Sequence, residues 1–174
     1  GTLRAMSGPV PVGRRRVVVT GLGAVTPLGL DPESTWAALR AGRSGIGPIT
    51  AFHPARLTSR IAGEVHDFDA SSVLDRKELR RTDRFTRLAL VAARQAMAQA
   101  GLPERLEGAV AEETGALIAS GMGGTGTLVD QISTSATRGP DRLSPFFIPM
   151  AISNMAAGQV SIVLGPQGPS YAPV

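Results

Sequence analysis

Two short aliphatic runs, residues 16–20 (RVVVT) and 116–120 (ALIAS), each pass straight into a glycine-rich stretch and are then followed by a helical pattern. Strand alternating with helix restricts the chain to an α/β fold. A β-branched run bounded by glycine predicts a strand buried on both faces, and both runs are read so. After the first, Gly21 to Gly29 form a loop of conformationally permissive residues. Asp31-Pro32-Glu33 then opens a helix, with Asp31 as its cap and Pro32 in its first turn. Trp36, Leu39 and Ala37 are its apolar side, and Gly42 ends it.

Residues 43–69 are irregular apart from a short strand expected over 61–65 (IAGEV). Residues 76–81 predict a short, highly charged helix. Asp83 is placed to cap a long one, in which Phe85, Leu88, Ala89, Ala92, Ala96 and Ala100 share one face and Arg84, Arg87 and Arg94 another. A helix is expected over 125–136 with Leu128, Val129 and Ile132 inward, ended by Gly139-Pro140. Residues 149–164 predict one buried helix, and residues 170–174 begin another strand. Residues 1–13 have no periodicity and are read as a disordered leader or cloning remnant outside the fold.

Composition excludes several functions. A hydrophobic share of 43% fits a chain with a real core. The net charge is +4 and Lys77 is the only lysine. Nucleic-acid binding is disfavoured, because basic clusters are short and there is one Trp and one Tyr to stack on bases. Zero cysteines remove disulfides and thiolate metal sites, and His53 and His66 lack metal-ligand spacing. No apolar run reaches the ~18 residues of a membrane helix and no secretory h-region is visible, so the cytoplasm is the expected compartment.

Three stretches carry candidate function. Gly21-x-Gly23 after a strand invites a dinucleotide reading, but Thr26 stands where a third small residue is needed and Pro27 follows, which favours a structural turn. Arg76-Lys77-x-x-Arg80-Arg81 is either a solvated helix face or a dock for an acidic partner. Ser120-Gly121-Met122-Gly123-Gly124 is a tight turn at a strand end. Ser120 lacks the flanking glycines of a nucleophile elbow. Asp130 and Glu33 form no carboxylate pair in sequence.

RRVVVTGLGAVTPLG, ESTWAALRAGRSGI, DRKELRRTDRF, IASGMGG, RGPDRLSPFFIPM, NMAAGQ and GPQGPSYAPV follow one another in an order and spacing that resemble the front part of the beta-ketoacyl-acyl carrier protein synthases. The resemblance is to their type II, elongating branch and covers residues 15–174. It implies a thiolase-like fold, five-layered α-β-α-β-α in the complete protein, of which residues 14–174 supply an incomplete N-terminal domain. It also implies a homodimer.

The implied reaction is a decarboxylative condensation of malonyl-carrier protein with an enzyme-bound acyl group, without redox cofactor or catalytic metal. The nucleophilic cysteine is expected just beyond Val174 and two histidines further on, so the 174 residues alone are expected to be inactive and poorly soluble. In the family, the helix matching Lys77, Arg80 and Arg81 receives the acidic acyl carrier protein. The position of Met122 sits at the dimer interface and borders the acyl pocket. Phe147 matches another pocket-lining position, although ordinary core packing accounts for it equally. Two alternatives stay open. One is the chain-length partner of a polyketide synthase pair, in which glutamine often replaces the cysteine. The other is a truncated, non-catalytic assembly module.

Overall fold

The computed structural model describes residues 16–173. Residues 1–13, read as a leader, lie outside the described residues. The elements in chain order are α1 (Pro32–Arg40), β1 (Gly47–Pro48), β2 (Ile61–Ala62), α2 (Arg76–Leu79), α3 (Arg84–Gln99), α4 (Gly108–Glu113), β3 (Ala116–Leu117), α5 (Thr125–Arg138), a 3-10 turn (Pro140–Arg142), α6 (Phe147–Ala151), α7 (Met155–Leu164) and β4 (Ser170–Tyr171). β1 pairs antiparallel with β2. β3 pairs parallel with β4, Ala116 opposite Ser170 and Leu117 opposite Tyr171. A parallel pair needs a crossover, and α5, α6 and α7 supply it.

Leu74, Leu90, Ala116, Ala157, Val160 and Leu164 form the core, where α7 packs against α3 and against β3. Ala157, Val160 and Leu164 recur at helical spacing along α7, which buries one stripe. The end of α7 is closed by Gly165 at φ 93°, a left-handed position suited to glycine. The Leu106 N–H donates to the Leu164 carbonyl at 2.8 Å, satisfying an acceptor the helix leaves open.

Several expectations are corrected. Residues 16–20 form no strand among the described residues, and Val17 is 93% exposed. A β-branched run becomes a strand only when a partner supplies its hydrogen bonds, and none of the described backbone does. β3 is buried on one side only: Ala116 is in the core while Leu117 is 71% exposed. In α1 the buried residue is Ala38, and Trp36 and Leu39 are exposed.

α3 buries Thr86 and Leu90 and packs Ala93 and Met97 on the core, a face displaced from the expected one. The expected face has a different use. A Cβ on Gly21 or Gly23 would collide with the carbonyl oxygens of Ala96 and Ala92, so the glycine loop lies directly on it. Gln95 and Gln99 hold that loop by accepting from the N–H groups of Ala24 at 2.9 Å and Leu22 at 2.6 Å. The first loop is therefore a packing device, as its departure from the dinucleotide pattern suggested.

In α5, Leu128, Val129 and Ile132 are exposed rather than inward, and Thr127 is buried. Periodicity shows which residues share a face but not which face meets the core. The helix expected over 149–164 is broken into α6 and α7, with Ile152 extended. The Gly124 N–H takes the Ala151 carbonyl at 2.9 Å, and a Cβ on Gly123 would lie 2.6 Å from that same oxygen. The glycine turn before α5 thus seats itself in the α6–α7 joint.

Candidate functional site

The basic helix α2 is short, so its ends decide whether it forms. Asp75 accepts from the N–H groups of Lys77 and Glu78, both at 2.7 Å, and Glu78 reaches back to the Asp75 N–H at 2.8 Å. This is a reciprocal capping box. The Glu78 N–H foremost, then that of Lys77 and the charges of Lys77 and Arg80, hold the Asp75 carboxyl below the usual carboxylate range. Glu78 is committed to the cap. Among the described residues, Arg76, Lys77, Arg80 and Arg81 enter no ion pair. Lys77, Arg80 and Arg81 are all exposed.

Arg87, one turn into α3, secures the bend after α2. Its Nη2 donates to the carbonyls of Leu79 at 2.5 Å and Thr82 at 2.6 Å, and its Nε to Thr82 at 3.0 Å. Asp83 joins this bend to α5. One carboxylate oxygen caps α3 by accepting from Phe85 N–H at 3.2 Å, and the other accepts from Thr127 N–H at 3.2 Å and Thr127 Oγ1 at 2.5 Å.

Phe147 opens α6 and is half-buried. Its N–H donates to the Ser144 carbonyl at 2.9 Å, and the Ser144 hydroxyl accepts from Phe146 N–H at 3.2 Å. Ser144 N–H is itself held by Gln131 Oε1 at 2.7 Å. The Arg81 guanidinium carbon sits 4.4 Å from the centre of the Phe146 ring. That contact brings the basic stretch to the neighbour of Phe147, whereas Lys77 and Arg80 touch nothing of the kind.

Met122 is 76% exposed in the turn before α5. Ser120 shapes this turn by accepting from Gly123 N–H at 2.9 Å. A cleft of about 540 Å³ lies between the α2–α3 bend and the start of α5. Thr82, Asp83, Arg87, Gly123, Thr127 and Met150 are among its walls, and neither Met122 nor Phe147 lines it. His66 is exposed 3.8 Å from Glu64. Among the described residues no three His, Cys, Asp or Glu side chains cluster for a metal ion.

Arg87, Thr127, Gln131 and Ser144 were not singled out by sequence reasoning as parts of one site. The sequence shows Asp83 as a cap of α3, and not its second bond to Thr127. Asp83 and Thr127 are 44 residues apart and Gln131 and Ser144 13, and Arg87 bonds across a bend, so none of these ties shows in adjacent residues.

A helical crossover between parallel strands, a glycine turn seated on the next helix joint and a capped basic helix with its cations open frame this site. Residues 14–174 match the model of the beta-ketoacyl synthase N-terminal domain. The chain belongs to this family, and its fold is the α/β fold of the thiolase-like ketosynthases. It is 48% identical over 161 residues to 3-oxoacyl-[acyl-carrier-protein] synthase 2 of Synechocystis sp., covering 92% of this chain and 38% of that protein. The Coxiella burnetii protein of the same name is 45% identical over 159 residues, covering 91% and 38%. The chain thus spans about two fifths of the length of these relatives.

Among solved structures, the ishigamide ketosynthase/chain length factor is similar at a TM-score of 0.76 and 29% identity, over 91% of this chain and 40% of that one. A type II PKS acyl-carrier protein in complex with its ketosynthase matches at a TM-score of 0.71 and 22% identity, over 89% and 41%, and shows the fold alone. Among the described residues, no helix is long and apolar enough to cross a membrane.

Proposed function

We propose that the full-length protein is a condensing enzyme of fatty acid biosynthesis that makes 3-oxoacyl-carrier protein. The observation that carries this is 48% identity across 92% of the chain to a 3-oxoacyl-[acyl-carrier-protein] synthase 2. In the proposed reaction a cysteine outside these residues takes the acyl group from one carrier and releases that carrier's thiol. Malonyl-carrier then loses carbon dioxide, and the resulting enolate attacks the acyl-cysteine carbonyl. The new carbon–carbon bond replaces the carbon–sulfur bond and the cysteine thiolate is freed.

In this reading the described chain supplies surface and pocket wall. Lys77, Arg80 and Arg81 form the carrier dock, supported by their exposure and by the absence of ion pairs to them among the described residues. Cations left unneutralised raise the encounter rate with an acidic partner and lose that advantage in salt. Met122 and Phe147 border the acyl chain; the open, flexible thioether of Met122 suits an apolar wall completed by other residues. The proposal includes a homodimer, an incomplete domain over residues 14–174 and residence in the cytoplasm with the carrier.

A second reading is favoured by one observation, the similarity to a ketosynthase/chain length factor. There the protein would act with a catalytic partner. Incubating the purified full-length protein with acyl- and malonyl-carrier protein separates them: 3-oxoacyl-carrier and carbon dioxide form in the first case, and only after a cysteine-bearing partner is added in the second.

A further inference from the structure

Four contacts close a ring through the region between the basic helix and Phe147. Asp83 binds Thr127 at the start of α5. Gln131, one helical turn further on the same face, binds Ser144. Ser144 fixes the N–H groups of Phe146 and Phe147. Arg81, two residues before Asp83, returns to Phe146 through its guanidinium plane, 4.4 Å from the ring centre. Three of the four links are hydrogen bonds in which a part-buried side chain accepts from a backbone N–H. The fourth is the only one made by a side chain that is exposed and charged.

We infer that Arg81 is a positioning residue for the Phe146–Phe147 segment, and through it for the acyl-chain wall, rather than only one more docking charge. The inference rests on the proposed reading of Phe147 as pocket wall. A planar cation spread over an aromatic face fixes the ring's orientation, and Phe147 shares the peptide link and the Ser144 anchor with that ring. Arg80, next in sequence and equally charged, makes no such contact among the described residues and serves as the internal control.

The test uses the full-length protein with 4-fluorophenylalanine at position 147. Arg81→Gln is expected to shift or broaden the Phe147 fluorine signal, and Arg80→Gln to leave it in place. Arg81→Gln is also expected to change the kcat/KM ratio between a short and a long acyl-carrier substrate by about twofold to fivefold, the size of an exposed cation–π contact. Arg80→Gln should change only the KM for carrier. An unmoved fluorine signal in Arg81→Gln overturns the inference, as does a kinetic profile identical to that of Arg80→Gln. Should Arg81→Gln fail to fold, Phe146→Leu removes the ring and keeps the charge; the same selectivity change is expected, and unchanged selectivity overturns the role. If instead Arg80→Gln leaves the carrier KM unaltered, the docking reading fails while the fluorine signal still decides what Arg81 does.

Discussion

Asp83 and Thr127 join the first turns of α3 and α5 through one carboxylate, which accepts the Thr127 hydroxyl at 2.5 Å and the Thr127 N–H at 3.2 Å while its other oxygen caps α3. Both helix starts have orphan N–H groups, and a single anion satisfies one at each. Asp83→Ala is expected to destabilise the full-length protein by about 1–3 kcal/mol, combining a lost cap with lost charged hydrogen bonds. Thr127→Val should cost less alone. In urea melts the two should be non-additive, with a coupling of about 1 kcal/mol. Additive losses would mean that the two residues act separately.

Glycine positions make a second prediction, because only some are required. Gly123 has φ 64°, and a Cβ there would press on Ala151 and Ser153. Gly123→Ala is expected to lose about 1–3 kcal/mol through strain and overpacking. Gly126 lies inside α5 with nothing nearer than 3.9 Å to a Cβ, so Gly126→Ala should gain about 0.5–1 kcal/mol. Thermal melts of the two variants should move in opposite directions.

These contrasts show what was legible in the sequence. Asp31 and Asp83 announced their helices because a cap acts on the next three residues and needs nothing distant. The resemblance likewise rested on runs of adjacent residues. The inward face of α5 was not legible: Leu128, Val129 and Ile132 share a side, but burial there went to Thr127, whose partner Asp83 is 44 residues away. Residues 16–20 read as a strand by composition, yet pairing depends on a neighbour that periodicity cannot name. The tie between Arg81 and Phe146 was equally hidden, since each alone looks like an ordinary surface cation and an ordinary apolar residue.

A third prediction concerns acid. The folded chain holds the Asp75 carboxyl below its usual range, so the unfolded state binds the proton more readily. The stabilisation is therefore fully present above the ordinary carboxylate range and is lost as pH falls through the lowered folded value. Asp75→Asn should flatten the acid limb of the stability–pH curve while leaving its neutral and alkaline parts parallel to wild type. Equal acid sensitivity in both proteins would remove Asp75 from the account.

The dock makes a fourth. Reversing Lys77 and Arg80 together to Glu is expected to raise the KM for carrier protein by about tenfold or more at low salt, with kcat changed little. The difference from wild type should shrink as ionic strength rises, because the attraction is screened. A drop in kcat at unchanged KM would place these residues elsewhere in the cycle.

The most direct test of the central claim is product formation by the full-length protein given acyl-carrier and malonyl-carrier protein alone. Carbon dioxide release matched by 3-oxoacyl-carrier protein, abolished when the cysteine expected after Val174 is changed to Ala, is the predicted result. Full-length protein that binds carrier but yields neither product under any loading would contradict the condensing activity.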